Sequence, residues 1–387
     1  MKLSHNNSWC YASLLVPVVT CSLSGGPACA DDIHVAIIHS LTGPPAFIGV
    51  PYVDGLTMGI DQINANHLLG PETRIVYTRD DDAGDRGQAI SLLTRYASDP
   101  AVKVVLATTT GTISPASAAA AVDLKLPLLT LSGADAVSQA APWAFPMTQP
   151  PRATVPEMAH FAADVLGVKK CSVFSVIESE TYINMAKFFE NAAREAGIEI
   201  ASYEGIKQTD IDFSAAAVKV ANSDIDCVFL STPAPTGANL VLQLRQSGLD
   251  PQVRILGHTA LSSPDFISMG GGAVEGVYLL SEFPPGGNDE AGQTFSEAYQ
   301  ARYGKEADNW AAIGYATSQI LGAALKAAGA DPTREAVQQA IANLQDVPVI
   351  VGSGKFNFTE DRFAATGMNV LQVSEGHLAR VEGGARE

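Results

Sequence analysis

The sequence predicts an α/β fold of two doubly wound lobes with parallel central sheets, joined by a hinge of three chain crossings. Three observations carry this. Short β-branched runs alternate with amphipathic helical stretches almost from end to end, and a β-α-β-α rhythm implies parallel sheets covered by helices. The runs 102–107 and 127–131 are apolar throughout, as strands buried on both faces are. The rhythm also stops and restarts at stretches rich in Pro and Gly, which mark passages between lobes.

In chain order, Ile33–His39 opens the first series as a strand and runs into the small and hydroxyl residues Ser40–Pro44. Strands follow at 74–79, 102–107 and 127–131, with helical patterns at 52–66, 86–98 and 114–123 between them. Pro142–Pro156 holds five prolines and little periodicity, a first crossing. The second series has strands at 171–177, 198–204, 226–231, 253–257 and 276–281. Its helices lie at 152–166, 182–196, 212–222, 236–247 and 262–269. Ser281–Asp289, with Pro284-Pro285-Gly286-Gly287, is a second crossing. Helical patterns at 290–303, 309–328 and 333–343 come next. A third break near Val347–Gly354 precedes closing strands at 355–358 and 368–374. The expected division is therefore residues 31–145 with 283–347 in one lobe, and 146–282 with 348–387 in the other. Lobes joined by three crossings can rotate about them without separating.

The N-terminus adds a compartment. Residues 1–30 carry Lys2, no acidic side chain, an apolar run from Tyr11 to Val19 and the triplet Ala28-Cys29-Ala30. That is the order of a cleavable signal peptide, with cleavage expected after Ala30 and the mature chain in the periplasm. The run is shorter than the roughly 20 residues that span a bilayer, and no later stretch is long and apolar enough either, so no stable membrane insertion is expected. Cys21 follows Thr20, a poor residue before a lipidated cysteine. Cleavage removes Cys10, Cys21 and Cys29, leaving Cys171 and Cys227, each in an apolar strand-like run. They are expected as two buried thiols, although an oxidising compartment permits a bridge. The chain has 24 basic and 41 acidic residues and a formal net charge of −17, which argues against nucleic acid and anionic membrane surfaces as partners. An α/β chain behind an export signal points to capture of a ligand rather than to metabolism.

Ligands of open α/β sheets bind beyond the carboxyl ends of strands, so the loops after strands hold the candidate residues. Thr108-Thr109-Thr110-Gly111-Thr112-Ile113-Ser114-Pro115 offers hydroxyls and free N–H groups at a helix start, suited to a carboxylate. Ser132-Gly133-Ala134-Asp135 lets a ligand approach the backbone, with Asp135 either accepting from an ammonium or hydroxyl or capping the next turn. Tyr182 stands at a helix start in the second series. Gly257-His258-Thr259 follows another strand, and Trp310 precedes a helix as an apolar wall. No nucleophile elbow, zinc-protease motif, P-loop or C-x-x-C occurs, and no enzyme activity or cofactor is expected. Asp80-Asp81-Asp82 and Asp85 lead into a helix, where carboxylates favour the positive N-terminal end, so no metal is expected there.

With Leu41-Thr42-Gly43-Pro44-Pro45-Ala46, Gly55 through Gly59-Ile60-Asp61-Gln62-Ile63-Asn64, Asp81-Asp82-Ala83, Gln88-Ala89, Ser114-Pro115-Ala116-Ser117 and Gly314-Tyr315-Ala316 in this order, the chain resembles the type I periplasmic binding proteins. Within them it resembles the leucine/isoleucine/valine-binding branch, over nearly all of the mature chain. The resemblance implies the substrate-binding component of an ABC importer, a monomer that closes on a small carboxylate ligand and docks to the transporter permease. It places the carboxylate on Thr110, with Thr112 close by, and further contacts on Gly133, Ala134 and Asp135. It makes Tyr182 the second-lobe tyrosine and Trp310 the aromatic wall. It also shows departures. Asp135 stands where Thr or Ser is usual, and Thr259 marks the neighbourhood where an acidic residue pairs the ligand's amino group. The family's cysteine pair falls on Gly84 and Thr109, so that small disulfide is absent. Two ligand classes follow: an amino acid with its ammonium on Asp135, or a non-amino carboxylate, aromatic or other, with Asp135 and His258 reading a ring hydroxyl. A ligand-dependent sensor of the same fold is the rival role.

Overall fold

The computed structural model describes residues 1–2 and 32–381; the signal-peptide assignment therefore lies, but for two residues, outside them. The first half of the chain builds a five-stranded sheet from β1 (Asp32–His39), β2 (Arg74–Asp81), β3 (Val102–Ala107), β4 (Leu128–Thr130) and β5 (Ala144–Pro146). Its order is β2-β1-β3-β4-β5 and every pairing is parallel. The helices α1 (Ala46–Ala65), α2 (Arg86–Ala97), α3 (Ser114–Leu124) and α4 (Asp135–Gln139) connect these strands. Val104, Val105, Leu106, Leu128 and Leu129 are fully buried, which is why their stretches read as uninterrupted apolar runs.

The second sheet has seven strands in the order β15-β14-β10-β9-β8-β6-β7. The chain enters it through α5 (Pro151–Asp164) and alternates β6 (Lys170–Val176), α6 (Glu180–Glu195), β7 (Glu199–Ile206), α7 (Ser214–Ala221), β8 (Cys227–Ser231), α8 (Ala234–Gln246), β9 (Arg254–Gly257), α9 (Pro264–Gly270) and β10 (Tyr278–Ser281). It then returns to the first sheet through α10 (Glu290–Tyr303), α11 (Asn309–Ala328) and α12 (Arg334–Ala342), with the short strands β11 (Val347–Pro348), β12 (Lys355–Phe358) and β13 (Ala364–Ala365) beyond them. Finally β14 (Asn369–Ser374) and β15 (His377–Arg380) add antiparallel to the far edge of the second sheet.

α11 completes the first core. It lies against α1 so closely that a β-carbon on Gly55 would stand 1.9 Å from the Ala311 carbonyl oxygen, and one on Gly314 would stand 2.0 Å from that of Tyr52. Only glycine fits at either place, and the Tyr52 hydroxyl donates to Thr317 between the two helices.

Two expectations need correction here. The segment 348–365, expected in the second lobe, buries Val349, Ile350, Val351, Phe356 and Ala364 in the same apolar cluster as β1 and α11. The stretch Val347–Gly354 is a hairpin, β11 pairing antiparallel with β12, with Gly352 and Gly354 at positive φ in its turn. The third crossing lies further on, at Thr366–Met368, after which Met368 and Val370 join the core of the second sheet. The other correction concerns the cysteines. Cys171 and Cys227 are not free thiols but form a disulfide. The parallel register of β6 and β8 sets them directly opposite each other, with Cα atoms 4.3 Å apart.

Candidate functional site

The carboxyl ends of both sheets face a common cleft. On the first sheet the order reverses at β1, with β2 on one side and β3 on the other, and a crevice opens beyond the strand ends at such a switch point. The loop after β3 stands there. Its four threonines divide into two pairs. Thr108 and Thr109 are buried and spent within the lobe. The Thr108 hydroxyl pairs with that of Ser114 at 2.8 Å, and Thr109 Oγ1 accepts from the Ser40 N–H at 2.8 Å and lies 3.2 Å from His39 Nδ1. Thr110 and Thr112 are left at the surface of the cleft, their hydroxyls bonded to each other at 2.8 Å. The carbonyl of Thr110 accepts from Ile113 and Ser114, while the N–H groups of Gly111 and Thr112 make no hydrogen bond among the described residues. Unused donors just ahead of an eleven-residue helix with Pro115 in its first turn form a setting that favours an anion.

The lobes meet at this loop. A β-carbon on Gly111 would stand 3.0 Å from Thr181 Oγ1, in the second lobe, and 3.9 Å from Ser132 Oγ. Four hydroxyls (Thr110, Thr112, Ser132 and Thr181) therefore gather around Gly111, with no carboxylate among them. Phe47, at the start of α1, packs against the apolar clusters of both lobes.

On the second lobe, Tyr182 lies in the first turn of α6, where the hydroxyl of Ser231 donates to its carbonyl at 2.7 Å. Its ring is 5.7 Å from that of His258, and burial pushes its phenol well above the usual range. His258 follows β9 and caps the short turn Thr259–Leu261, its Nδ1 accepting from the Ala260 N–H at 3.2 Å. That bond places the ring proton on Nε2 of the neutral imidazole, and burial lowers the ring's pKa to about 4. Nε2 is buried with no partner at hydrogen-bond geometry. Thr259 is half-buried beside it. In the first lobe, burial takes His39 lower still, to about 3. The indole N–H of Trp310, in the first turn of α11, is buried and unpartnered, although its ring belongs to the first core.

The loop after β4 behaves differently from expectation. Gly133 is required by the chain itself: a β-carbon there would stand 2.4 Å from the Gln149 carbonyl oxygen and 2.9 Å from Pro150 Cα. Ala134 is half-buried, its N–H directed at the Ser132 hydroxyl at 3.3 Å. Asp135 is exposed and ion-paired, its Oδ1 3.2 Å from Arg152 Nε. Arg152 in turn pairs with Asp361 at 2.8 Å and lies over the Phe363 ring. The carboxylate of Asp135 therefore has a cation already, and it is neither turned to an ammonium nor the helix cap, which is Ala134.

The acidic run after β2 is likewise committed. Asp81 accepts from Leu41, Thr42 and Ala83, Asp82 from Ser40 and Gly84, and Asp85 caps α2 through Gln88. Among the described residues no cluster of side chains suits a metal ion, and no helix is long and apolar enough to cross a membrane.

Sequence reading missed Phe47 and Thr181, which take part in the meeting of the lobes. Phe47 lies past the loop after β1, in the first turn of α1, which the helical pattern 52–66 left out, and Thr181 was overshadowed by the aromatic residue next to it.

The comparisons with known proteins agree with this architecture. A leucine/isoleucine/valine-binding protein homologue of Brucella melitensis is 24% identical over 356 residues, covering 91% of this chain and 94% of the relative. The crystal structure of a leucine-binding protein from Thermotoga maritima superposes with a TM-score of 0.80 at 25% identity, covering 90% of this chain and 97% of that one. A solute-binding protein of an ABC transporter from Rhodopseudomonas palustris, solved with benzoate, gives a TM-score of 0.80 at 19% identity, with 92% and 96% covered. A family model described as periplasmic binding protein matches residues 32–378. Two sheets, parallel but for β14 and β15 at the edge of the second, facing one cleft, three passages between them and a match across nearly the whole described chain lead to one conclusion: the chain belongs to the periplasmic binding protein family.

Proposed function

We propose that the chain is the solute-binding component of an ABC importer, exported by cleavage after Ala30. It captures a small carboxylate ligand between its lobes and presents it to a permease. It acts by binding, not by catalysis. The observation that carries this reading is the set of unused donors at Gly111 and Thr112 beside the Thr110 and Thr112 hydroxyls, at the place where the two lobes touch. A carboxylate there gains the donors of the α3 terminus from one lobe and is covered by Thr181 and Tyr182 from the other. Because those second-lobe contacts exist only when the lobes come together, the ligand favours closure by its differential contacts. The family relatives place branched-chain and related amino acids first among the ligands.

A second ligand class is favoured by one specific observation. The Asp135 carboxylate is ion-paired with Arg152, and the neighbourhood of Thr259 offers neutral His258 instead of an acid. An ammonium enclosed without a counter-ion is costly. A carboxylate lacking the amino group, such as an aromatic acid, avoids that cost, and the Trp310 indole N–H, buried without a partner among the described residues, is an available donor.

A thermal-shift screen of residues 31–387 tests both readings. Leucine, isoleucine, valine and other amino acids are compared with benzoate and hydroxycinnamates. A ligand at a hundred times its dissociation constant adds about 2.7 kcal/mol of stability. Stabilisation by amino acids supports the first class, stabilisation only by acids without an amino group supports the second, and no response to either overturns the reading.

A further inference from the structure

The three passages between the lobes are tied together by side chains that the cleft does not use. Glu282 follows β10 on the second passage and is only 3% exposed. The hydroxyl of Thr366, on the third passage, donates to Glu282 Oε2 at 2.6 Å. Gln149, on the first passage, donates from Nε2 to Thr366 Oγ1 at 3.3 Å and to the Gly367 carbonyl at 3.1 Å. One chain of hydrogen bonds thus runs from the first passage through the third to the second. The backbone around Glu282 is fixed as well. Asn309 Oδ1, at the start of α11, accepts from the N–H groups of Glu282 and Phe283 and from the Ser281 hydroxyl. The Glu282 carbonyl accepts from Gly352 at 2.7 Å.

A buried carboxyl needs either a proton or a cation. The polar groups that face Glu282 are Thr366 from the third passage, Gln149 from the first by way of Thr366, Asn309 from α11 and the Gly352 backbone. Among the described residues no charged group acts on the carboxyl; burial raises its pKa to about 7 and the Thr366 bond opposes this only in part. Thr366 can donate to the carboxyl whether or not it is ionised, so the network survives protonation. An ionised Glu282, by contrast, has one donor among the described residues where a carboxylate accommodates several, in a site only 3% exposed.

We propose that Glu282 is a proton-operated latch on the hinge: with its proton it stays buried and keeps the three passages bonded in the closed arrangement, and without it the arrangement that admits water, the open one, is favoured. This rests on the molecule closing about its hinge, but on no particular ligand. Glu282 lies on the hinge passages rather than among the cleft residues and is a positioning residue, whose influence on capture is through the closed population. Affinity for any ligand that needs closure then falls as the pH rises through neutrality.

The test needs no ligand. Spin labels at Arg86→Cys and Lys187→Cys, exposed positions in the first and second lobes, report the interlobe distance by pulsed electron resonance between pH 5.5 and 8.5. The expected result is a shift of the parent protein toward the longer distance at high pH. Glu282→Gln, uncharged and of the same shape, stays at the short distance throughout. Thr366→Val, which breaks the link between passages, sits at the longer distance at both ends of the range. Glu282→Met, also uncharged, stands in if the Gln variant does not fold. A distance in the parent protein that ignores pH, or an uncharged variant that follows the same pH profile as the parent, overturns the proposal. Either result leaves the ligand screen, and the importer reading with it, untouched.

Discussion

Gly111 and Thr181 meet closely across the cleft: a β-carbon on Gly111 would stand 3.0 Å from the Thr181 hydroxyl oxygen. A side chain at position 111 would therefore crowd the second lobe where it closes over the donors of α3. Gly111→Val is expected to leave each lobe folded, since the clash lies between lobes, while holding them apart. Overpacking costs about 1–3 kcal/mol, so affinity for the ligand found in the screen falls about tenfold or more with little change in the melting temperature of the unliganded protein. Titration calorimetry beside a thermal melt checks this.

Asp135 is expected to be silent in binding. Its pair with Arg152 is partly exposed, with side-chain accessibilities of 55% and 34% for Asp and Arg, and such pairs contribute under about 1 kcal/mol. Asp135→Asn should cost at most that much in stability and leave ligand affinity within about twofold. A large loss of affinity for an amino acid, with affinity for benzoate unchanged, would show that the carboxylate leaves Arg152 to meet an ammonium.

The disulfide is expected to matter for stability. It closes a segment of 56 residues, for which the chain-entropy model gives about 4 kcal/mol at 25 °C. A Cys171→Ala, Cys227→Ala double variant should unfold at markedly lower urea concentration, with its ligand affinity retained under native conditions because neither residue reaches the cleft. Urea unfolding followed by circular dichroism, with and without reductant, gives the comparison. The parent protein under reductant should move toward the variant.

Buried titratable groups pull the pH dependence of stability in two directions. Burial raises Glu282 and Asp308 to about 7, above their unfolded values, so the folded state holds these protons longer and their ionisation penalises folding. Their contribution declines as pH climbs from about 4 to about 7 and then stays low. His39 and His258 are lowered to about 3 and about 4. The unfolded chain therefore binds their protons first, and stability falls as pH drops below about 6.5. Asp308→Asn, which retains a cap for Ala311, is expected to raise the melting temperature more at pH 8 than at pH 4.5. Calorimetric melts across that range read the difference.

Much of this was legible in the sequence, and the limits have physical causes. The strands from β1 to β10 and the helices between them were marked by apolar runs and helical periodicity. The short strand β5 and helix α4 were not, because three and five residues are too few to establish a period among so many prolines. The third crossing was misplaced because Gly352 and Gly354 signal a turn, and a hairpin turn and a passage between lobes use the same residues. Thr110 and Tyr182 were singled out by their place after strands. The fate of Asp135 was not, since Arg152 lies seventeen positions away on another helix and nothing local joins them. The cysteine bridge depended on the register of β6 against β8, which composition does not encode.

The close fit of α1 against α11 bears on the order in which the molecule assembles. Tyr52 and Thr317, bonded across that contact, are 265 residues apart in the chain, and the whole second sheet but for its last two strands is threaded between them. A nascent chain that ends before Asn309 has every strand of the first sheet yet leaves one face of α1 bare, including the groove at Gly55. The lobe that begins the chain therefore waits for α11, while the inserted lobe has most of its own core beforehand and lacks only its edge strands β14 and β15. Deleting everything from Asn309 onward would accordingly strip α11 from the N-terminal sheet while leaving β6 to β10 of the second in place, the reverse of what a bead-on-a-string arrangement of domains would do.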